Sequence, residues 1–432
     1  MEPEVMQRTS PHEHPLPRQV ATYLRTRATG GAWRLSEQPG RGFAAAVVIP
    51  ALAEQQNLSA TLRSLAANPP RLLRDTLILV VVNQRDNASE RETEDNLATL
   101  KDLTRWKQAF GLDNLCWVDA ATPGNRLPPK QGVGLARKIG LDLALGHLDY
   151  GEGDPQLICL DADTLVQPDY LGAITDHFAT SRAGGASLPF RHQSADTPRG
   201  QEAIERYELF LRAYVLGMEL AGSPYAFHTV GSAMACRASA YAMAGGMNKR
   251  QAGEDFYFLQ QIHKTSGVAP LRGTMVHPSP RSSQRVPFGT GRAVGDILVK
   301  GEDFLFYQPH LFGIVGEWLQ CVASHDGADG ARLLHRAEDI SPLLRSFLQQ
   351  AGFADAWDNL KRNSRDGERL MAAFHGWFDA FRTMRLMHYL TDNGFPRIPA
   401  EQAVPSLLER AGHASPADLD GLIHCLRTIQ GV

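Results

Sequence analysis

Two carboxylates one residue apart, Asp161 and Asp163, stand just after four apolar residues, Leu157-Ile158-Cys159-Leu160. The apolar run reads as a short buried strand. Alternation along an extended chain points Asp161 and Asp163 the same way, with Ala162 opposite. Converging carboxylates at the mouth of a sheet suit a hard divalent cation, Mg²⁺ or Mn²⁺. Such ions take oxygen ligands, often one or two carboxylates plus substrate phosphates. Taken alone, Asp-x-Asp is more often an acidic turn. A second acidic pair, Glu254-Asp255, follows Gly253 where a helix is expected to open. A carboxylate there is favourable through the helix dipole alone, so N-terminal capping is the competing reading of that pair.

The elements that must position these groups can be read along the chain. Ala44 to Ile49 reads as a buried strand ended by Pro50, which cannot donate to a ladder. Leu58, Leu62 and Leu65 mark a helix. Thr76 to Val82 is a β-branched strand, followed by the polar loop Asn83 to Asn87. A charged helix running to about Phe110, a strand over Asn114 to Val118 and a helix over Gly134 to Leu145 lead to the strand at 157–160. This alternation predicts a parallel α/β sheet. Ligands bind beyond the carboxyl ends of such strands. Pro50 to Glu54, Asn83 to Asp86 and Asp161 to Asp163 occupy ends of that kind.

Farther along, a helix is expected over Pro168 to Phe178, a strand over Leu188 to Phe190 and an amphipathic helix over Gln201 to Leu220. Thr229 to Arg237 reads as a strand with a close backbone approach, and Gly245-Gly246 as a turn before a helix from about Phe256 to His263. From about Asp296 onward the pattern is helical, including Leu343 to Gln350 and a long helix from Glu368 to Leu390, and it carries no motif. Three segments result: a Pro- and Gly-bearing N-terminal extension (1–42) with a short helix over Gln19 to Arg27, a sheet domain (43–298), and a helical C-terminal region (299–432).

Composition sets outer bounds. The 432 residues are 43% hydrophobic and 21% charged, as in a globular protein of two or three domains. A net charge of -3 gives no bulk attraction to nucleic acid or an anionic membrane. The five cysteines are scattered and odd in number, which fits a reducing cytoplasm. The polar N-terminus is unlike a signal peptide. No apolar run reaches the roughly 18 residues of a membrane helix.

With these pieces in order, the stretch from Ala44 to Arg292 resembles the family 2 glycosyltransferases of GT-A fold. The residues that carry the resemblance are Val47-Val48-Ile49-Pro50-Ala51-Leu52-Ala53-Glu54, similar to the family's opening Ile-Pro-x-x-Asn-Glu with Ala53 in place of Asn; Gly132 to Gly140, similar to the segment that carries an arginine to the nucleotide; Asp161-Ala162-Asp163; and Gly245-Gly246 followed by Glu254-Asp255. The resemblance implies a Rossmann-like mixed α/β sheet flanked by helices. It also implies a nucleotide-diphosphate sugar donor and a Mn²⁺ or Mg²⁺ cofactor. Asp163 would touch the metal, Asp161 the ribose or a metal-bound water, and His277 would be a third ligand. Asp255 would be the general base, with Glu254 as its substitute. Pro50, Leu52, Glu54, Asn83, Lys130, Arg137 and Arg285 would meet the nucleotide. A solvated helix face is the competing reading of Lys130 and Arg137. An ordinary surface turn is the competing reading of the basic loop with Arg281, Arg285 and Arg292.

Two departures from the family shape the expectation. The second strand ends Asn83-Gln84-Arg85-Asp86 instead of in an acidic, Ser/Gly-rich turn. The segment Ser283 to Arg292 has no Gln-x-x-Arg-Trp, which argues against a membrane-embedded polymerase. Inversion at the anomeric carbon is expected, with a retaining GT-A enzyme as the nearest alternative. A haloacid-dehalogenase-type phosphatase wants Thr or Val where Leu165 stands. A nucleotidyltransferase wants a glycine-rich loop where Pro50 to Glu54 has none. A non-catalytic sugar-nucleotide module would not need Asp161, Asp163 and Asp255 together.

Overall fold

The computed structural model describes residues 15–282, 289–300 and 304–432. They fall into two compact units, one from Met1–Gln193 and Thr229–Ser279, the other from Ser194–His228 and Pro280–Val432. In chain order the first unit contains α1 (Arg18–Thr26), β1 (Ala45–Ala51), α2 (Gln55–Ala66), α3 (Pro70–Arg74), β2 (Thr76–Asn83), α4 (Glu90–Phe110), β3 (Leu115–Ala120), α5 (Val133–Leu145), β4 (Gln156–Cys159), β5 (Leu165–Val166), α6 (Tyr170–Thr180) and β6 (Gly185–Ser187). After α7 (Pro198–Leu220), which belongs to the second unit, it resumes with β7 (Met234–Arg237), α8 (Ala238–Met243), α9 (Glu254–Ser266), β8 (Val268–Pro270) and β9 (Val276–His277).

Seven strands form one mixed sheet in the order β3-β2-β1-β4-β7-β6-β8, flanked by helices, as the resemblance implies. β1 to β4 are parallel, and β7 runs antiparallel to both β4 and β6. The chain winds outward from β1 to β3 and then returns to the other side of β1 as β4. The order therefore reverses between β1 and β4, the kind of switch point beyond whose carboxyl ends open α/β sheets receive ligands. β1 and β2 are buried at every position, which their unbroken apolar runs require of a sheet covered on both faces.

Pro50 lies inside β1, where the sequence predicts the strand's end. Leu160 N donates to Val48 O on the β4 side, and pairing with β4 reaches only Val48. Two residues on, Pro50 faces that same side beyond the last pairing, so its missing N–H breaks no ladder bond. The expected strand over Leu188 to Phe190 reduces to one bridge, Phe190 with Val276. The helix expected from Phe256 opens earlier, so Glu254 and Asp255 are its first two residues. α5 lies hard against the sheet because Gly140 has no Cβ to strike the side chains of Val48 and Val81. The N-terminal segment contributes α1, whose Val20 and Tyr23 are buried.

The second unit is helical: α7, α10 (Thr290–Lys300), α11 (Pro309–Ala323), α12 (Gly330–Ile340), α13 (Pro342–Gln350), α14 (Phe353–Asn363), α15 (Gly367–Trp377), α16 (Ala380–Asn393), α17 (Ala400–Arg410) and α18 (Leu419–Ile429). Its core includes Trp318, Phe353, Trp357 and Phe374. The long helix expected from Glu368 to Leu390 is two helices. Asp379 accepts from Arg382 N at 2.9 Å and caps a new start. No helix among the described residues is long and apolar enough to cross a membrane. All five cysteines are free thiols.

Candidate active site

Arg137 is in the first turns of α5, at the carboxyl side of the sheet, and its side chain is only 3% exposed. The glycine-bounded start of α5 and Gly231 make room for it. A Cβ on Gly231 would come within 2.5 Å of Arg137 Nη2. Nη2 pairs with Asp161 Oδ1, just after β4, and Nη1 pairs with Glu254 Oε1, at the start of α9. One guanidinium thus joins the two acidic segments that the sequence singled out. A solvated helix face is not where Arg137 stands: its two terminal nitrogens are held by protein carboxylates, and Nε is buried without a hydrogen-bond partner. Burial pulls its pKa down, but the charges of Asp161 and Asp255 more than offset this, and the net shift is upward.

Asp255 follows Glu254 and remains partly exposed, with Oδ1 accepting from Phe256 N at 2.8 Å. Its carboxyl lies above the usual carboxylate range. Burial raises it, and Asp161 adds to this, against the lowering effects of Arg137 and the backbone N–H. Glu254 is buried against Arg137 and holds the segment in place. Beneath Asp161, burial pushes the Cys159 thiol up to about 12, so it is a neutral thiol at physiological pH and no nucleophile.

The Gly245-Gly246 turn packs against the N-terminal segment. α1 covers it. Gly245, at φ 82, would put a Cβ 2.7 Å from Arg27 Nη1, and a Cβ on Gly246, at φ 78, would collide with the Tyr23 hydroxyl. Asn248 Nδ2 donates to Glu254 O at 2.9 Å, and Gly134 N of α5 donates to Arg250 O at 3.2 Å. The loop before α9 is therefore tied at one end to the acidic pair and along its length to α5.

The segments of Asp163 and His277 run side by side at the small sheet of β5 and β9, where Leu165 pairs with His277. His277 Nδ1 is 3.1 Å from Arg191 O. A carbonyl only accepts, so Nδ1 carries a proton. Among the described residues no three His, Cys, Asp or Glu side chains gather closely enough to hold a metal unaided. The two segments that carry Asp163 and His277 lie side by side, and a carboxylate and an imidazole are donor types that a divalent cation accepts.

At the switch point, Pro50 and Glu54 are buried and Leu52 is half-buried. Ala53 takes a left-handed conformation, φ 51, which costs a residue with a Cβ and suits Asn, the residue at this place in the resembled family, better. Its N–H donates to Asn96 Oδ1 at 2.8 Å. Asn83 is buried, and its amide donates at 3.1 Å to both Ala51 O and Val81 O, locking the ends of β1 and β2. Lys130 is exposed in the loop before α5, with φ 63. Arg285 lies outside the described residues, as does most of the basic loop around it. Gln193, Asn96 and Tyr23 organise the site's surroundings and carry no sequence signal. Each is one polar residue whose partner lies at least a dozen positions away.

No family model and no curated protein matches the chain. Among solved structures, S. aureus TarS 1-349 in complex with UDP-GlcNAc is similar at 12% identity, over 89% of this chain and 91% of that one, with a TM-score of 0.39. The mannosyltransferase PcManGT from Pyrobaculum calidifontis, in complex with GDP-Man and Mn²⁺, is similar at 15% identity over 86% and 90%, with a TM-score of 0.37. Glucosyl-3-phosphoglycerate synthase from Mycobacterium tuberculosis, in complex with Mn²⁺, UDP and phosphoglyceric acid, is similar at 14% identity over 60% and 74%, with a TM-score of 0.32. With TM-scores this low, the functional reading of the site rests on the residues of this chain.

Proposed function

We propose that the protein is a metal-dependent glycosyltransferase that moves a sugar from a nucleotide-diphosphate donor to an acceptor hydroxyl with inversion. The observation that carries the reading is the single buried guanidinium of Arg137, which holds Asp161 at the end of β4 and Glu254 beside Asp255. A carboxylate suited to donor binding and a carboxylate suited to proton abstraction are thereby set in one frame, at the switch point where a doubly wound sheet receives its ligand.

Asp163 and His277 would hold Mn²⁺ or Mg²⁺. When bound, the cation neutralises the diphosphate and stabilises it as a leaving group. Asp161 reaches toward the ribose, and the backbone from Pro50 to Glu54, with Lys130 from its loop, lines the nucleotide. Asp255 accepts the proton of the acceptor hydroxyl as that oxygen attacks the anomeric carbon and the bond from that carbon to the diphosphate oxygen breaks. A carboxyl raised by burial is a stronger base than an exposed one, which suits this role. The five free thiols accord with a reducing, cytoplasmic setting.

The test is a panel of nucleotide-diphosphate sugars incubated with Mn²⁺ and candidate acceptors, read as nucleoside diphosphate released. One or more donors should turn over, and Asp255→Asn should lower transfer by roughly 10² to 10⁴, the usual worth of a positioned base. Turnover near the wild-type rate in that variant would remove Asp255 from the mechanism.

A further inference from the structure

Gln193 lies outside helix and strand, between Phe190 and α7. In the structure, its side-chain amide Nε2 donates to two carbonyls on different segments, Asp163 O at 2.9 Å and His277 O at 2.7 Å. The backbone of Gln193 is itself fixed, since its N–H donates to Pro278 O at 2.9 Å. The chain just before it runs along β9. Val276 N donates to Pro189 O and Arg191 N to Val276 O, both at 3.0 Å, and Arg191 O then takes the His277 ring proton. One short segment therefore sets the backbone of His277, the proton on its Nδ1 and the spacing between the segments of Asp163 and His277. The pairing of β5 with β9 covers only two residues from each strand. Such a short ladder fixes register weakly, so the amide bridge supplies what the strands cannot.

We propose that Gln193 is the positioning residue of the cation site. It clamps the two segments that carry Asp163 and His277 so that carboxylate and imidazole meet a divalent cation at a fixed separation. The proposal rests on the metal reading above. The Gln193 side-chain nitrogen is spent on these two backbone carbonyls. It acts through two backbone carbonyls, and only a side chain with two N–H groups on one atom can satisfy both.

The experiment is Mn²⁺ binding in the presence of UDP, followed by electron paramagnetic resonance of free Mn²⁺. It compares the full-length wild type with Gln193→Met, which keeps the bulk and loses both donors, and with Gln193→Glu, which keeps the shape but at neutral pH only accepts. Mn²⁺ affinity should fall roughly 10- to 100-fold in both variants, the usual loss when a group that orients metal ligands is removed. Transfer activity should recover at high Mn²⁺, a rescue that a general loss of folding would not show. Should one variant fail to fold, the other carries the test. Mn²⁺ affinity within twofold of wild type in a folded variant would overturn the clamp while leaving the metal reading intact. Absence of Mn²⁺ binding by the wild type would overturn both.

Discussion

Asp255 shows how two local rules compete. Its place in the first turn of α9 favours the charged form through backbone N–H groups, and the sequence argument stops there. In the structure burial outweighs that effect, and the carboxyl is raised. The sign of the stability effect follows. Between the ordinary unfolded value near 3.9 and the raised folded value, the native state binds more proton than the unfolded chain, so stability falls as pH rises through that window. Asp255→Asn should therefore leave the melting temperature at neutral pH unchanged or raised. The acid limb of the transfer rate, displaced upward in the wild type, should disappear from the residual activity. A pure cap would behave oppositely, losing up to about 1 kcal/mol on substitution. Arg137 makes the complementary case. Arg137→Ala leaves Glu254 buried without its cation, a change that typically costs about 3–5 kcal/mol, so denaturant unfolding should show a large loss. A loss under 1 kcal/mol would mean that the guanidinium does not hold the frame together.

α5 is the element on which the site hangs. It lies against β1 and β2 at Gly140, meets the loop before α9 at Gly134, presents Arg137 to both acidic segments, and one turn farther on carries Asp142. Asp142 is buried. It accepts from Tyr23 and Tyr241 at 2.7 Å each and from Thr29 N at 2.6 Å, with Lys138 Nζ at 3.1 Å. The N-terminal helix is thus latched to the helix that carries Arg137. Tyr23→Phe should cost about 1.5 kcal/mol, the lower end for a hydrogen bond to a charged group, because three other donors remain on Asp142. Thermal unfolding and the protease sensitivity of α1 both report it. Gly134→Ala puts a Cβ 2.5 Å from Arg250 O and 2.7 Å from Asn248 O, so the loop before Asp255 must shift, and transfer should fall more than donor binding does. Much of α5 was legible in the sequence: its span and its glycines. The latch was not. Tyr23 and Asp142 are 119 residues apart, and an isolated tyrosine or aspartate does not announce a distant partner.

Across the molecule, what the sequence revealed was whatever local pattern determines. Apolar runs of β-branched residues gave β1, β2 and β4, and the strand–helix alternation gave the sheet, because each follows from burial on both faces. The antiparallel entry of β7 was hidden, since direction depends on where the chain returns and not on the strand's own residues. The break at Phe378 and Asp379 was hidden because the apolar residues continue across it. α7 shows the same limit. Its apolar stripe announces a buried face, and the partners it meets are α10, α11, α17 and α18. At the site, the acidic pairs were legible by type and spacing, whereas the contacts that join them through Arg137, and the clamp at Gln193, exist only in three dimensions. The central claim is that Asp163 helps a divalent cation bind a nucleotide diphosphate at the switch point. Calorimetric titration of UDP and GDP into the wild type and Asp163→Ala, with and without Mn²⁺, tests it most directly. The account predicts that at least one diphosphate binds the wild type with Mn²⁺, binds at least tenfold more weakly without it, and loses the Mn²⁺ dependence in Asp163→Ala. Binding to neither diphosphate, or binding that is indifferent to both Mn²⁺ and Asp163, would contradict it.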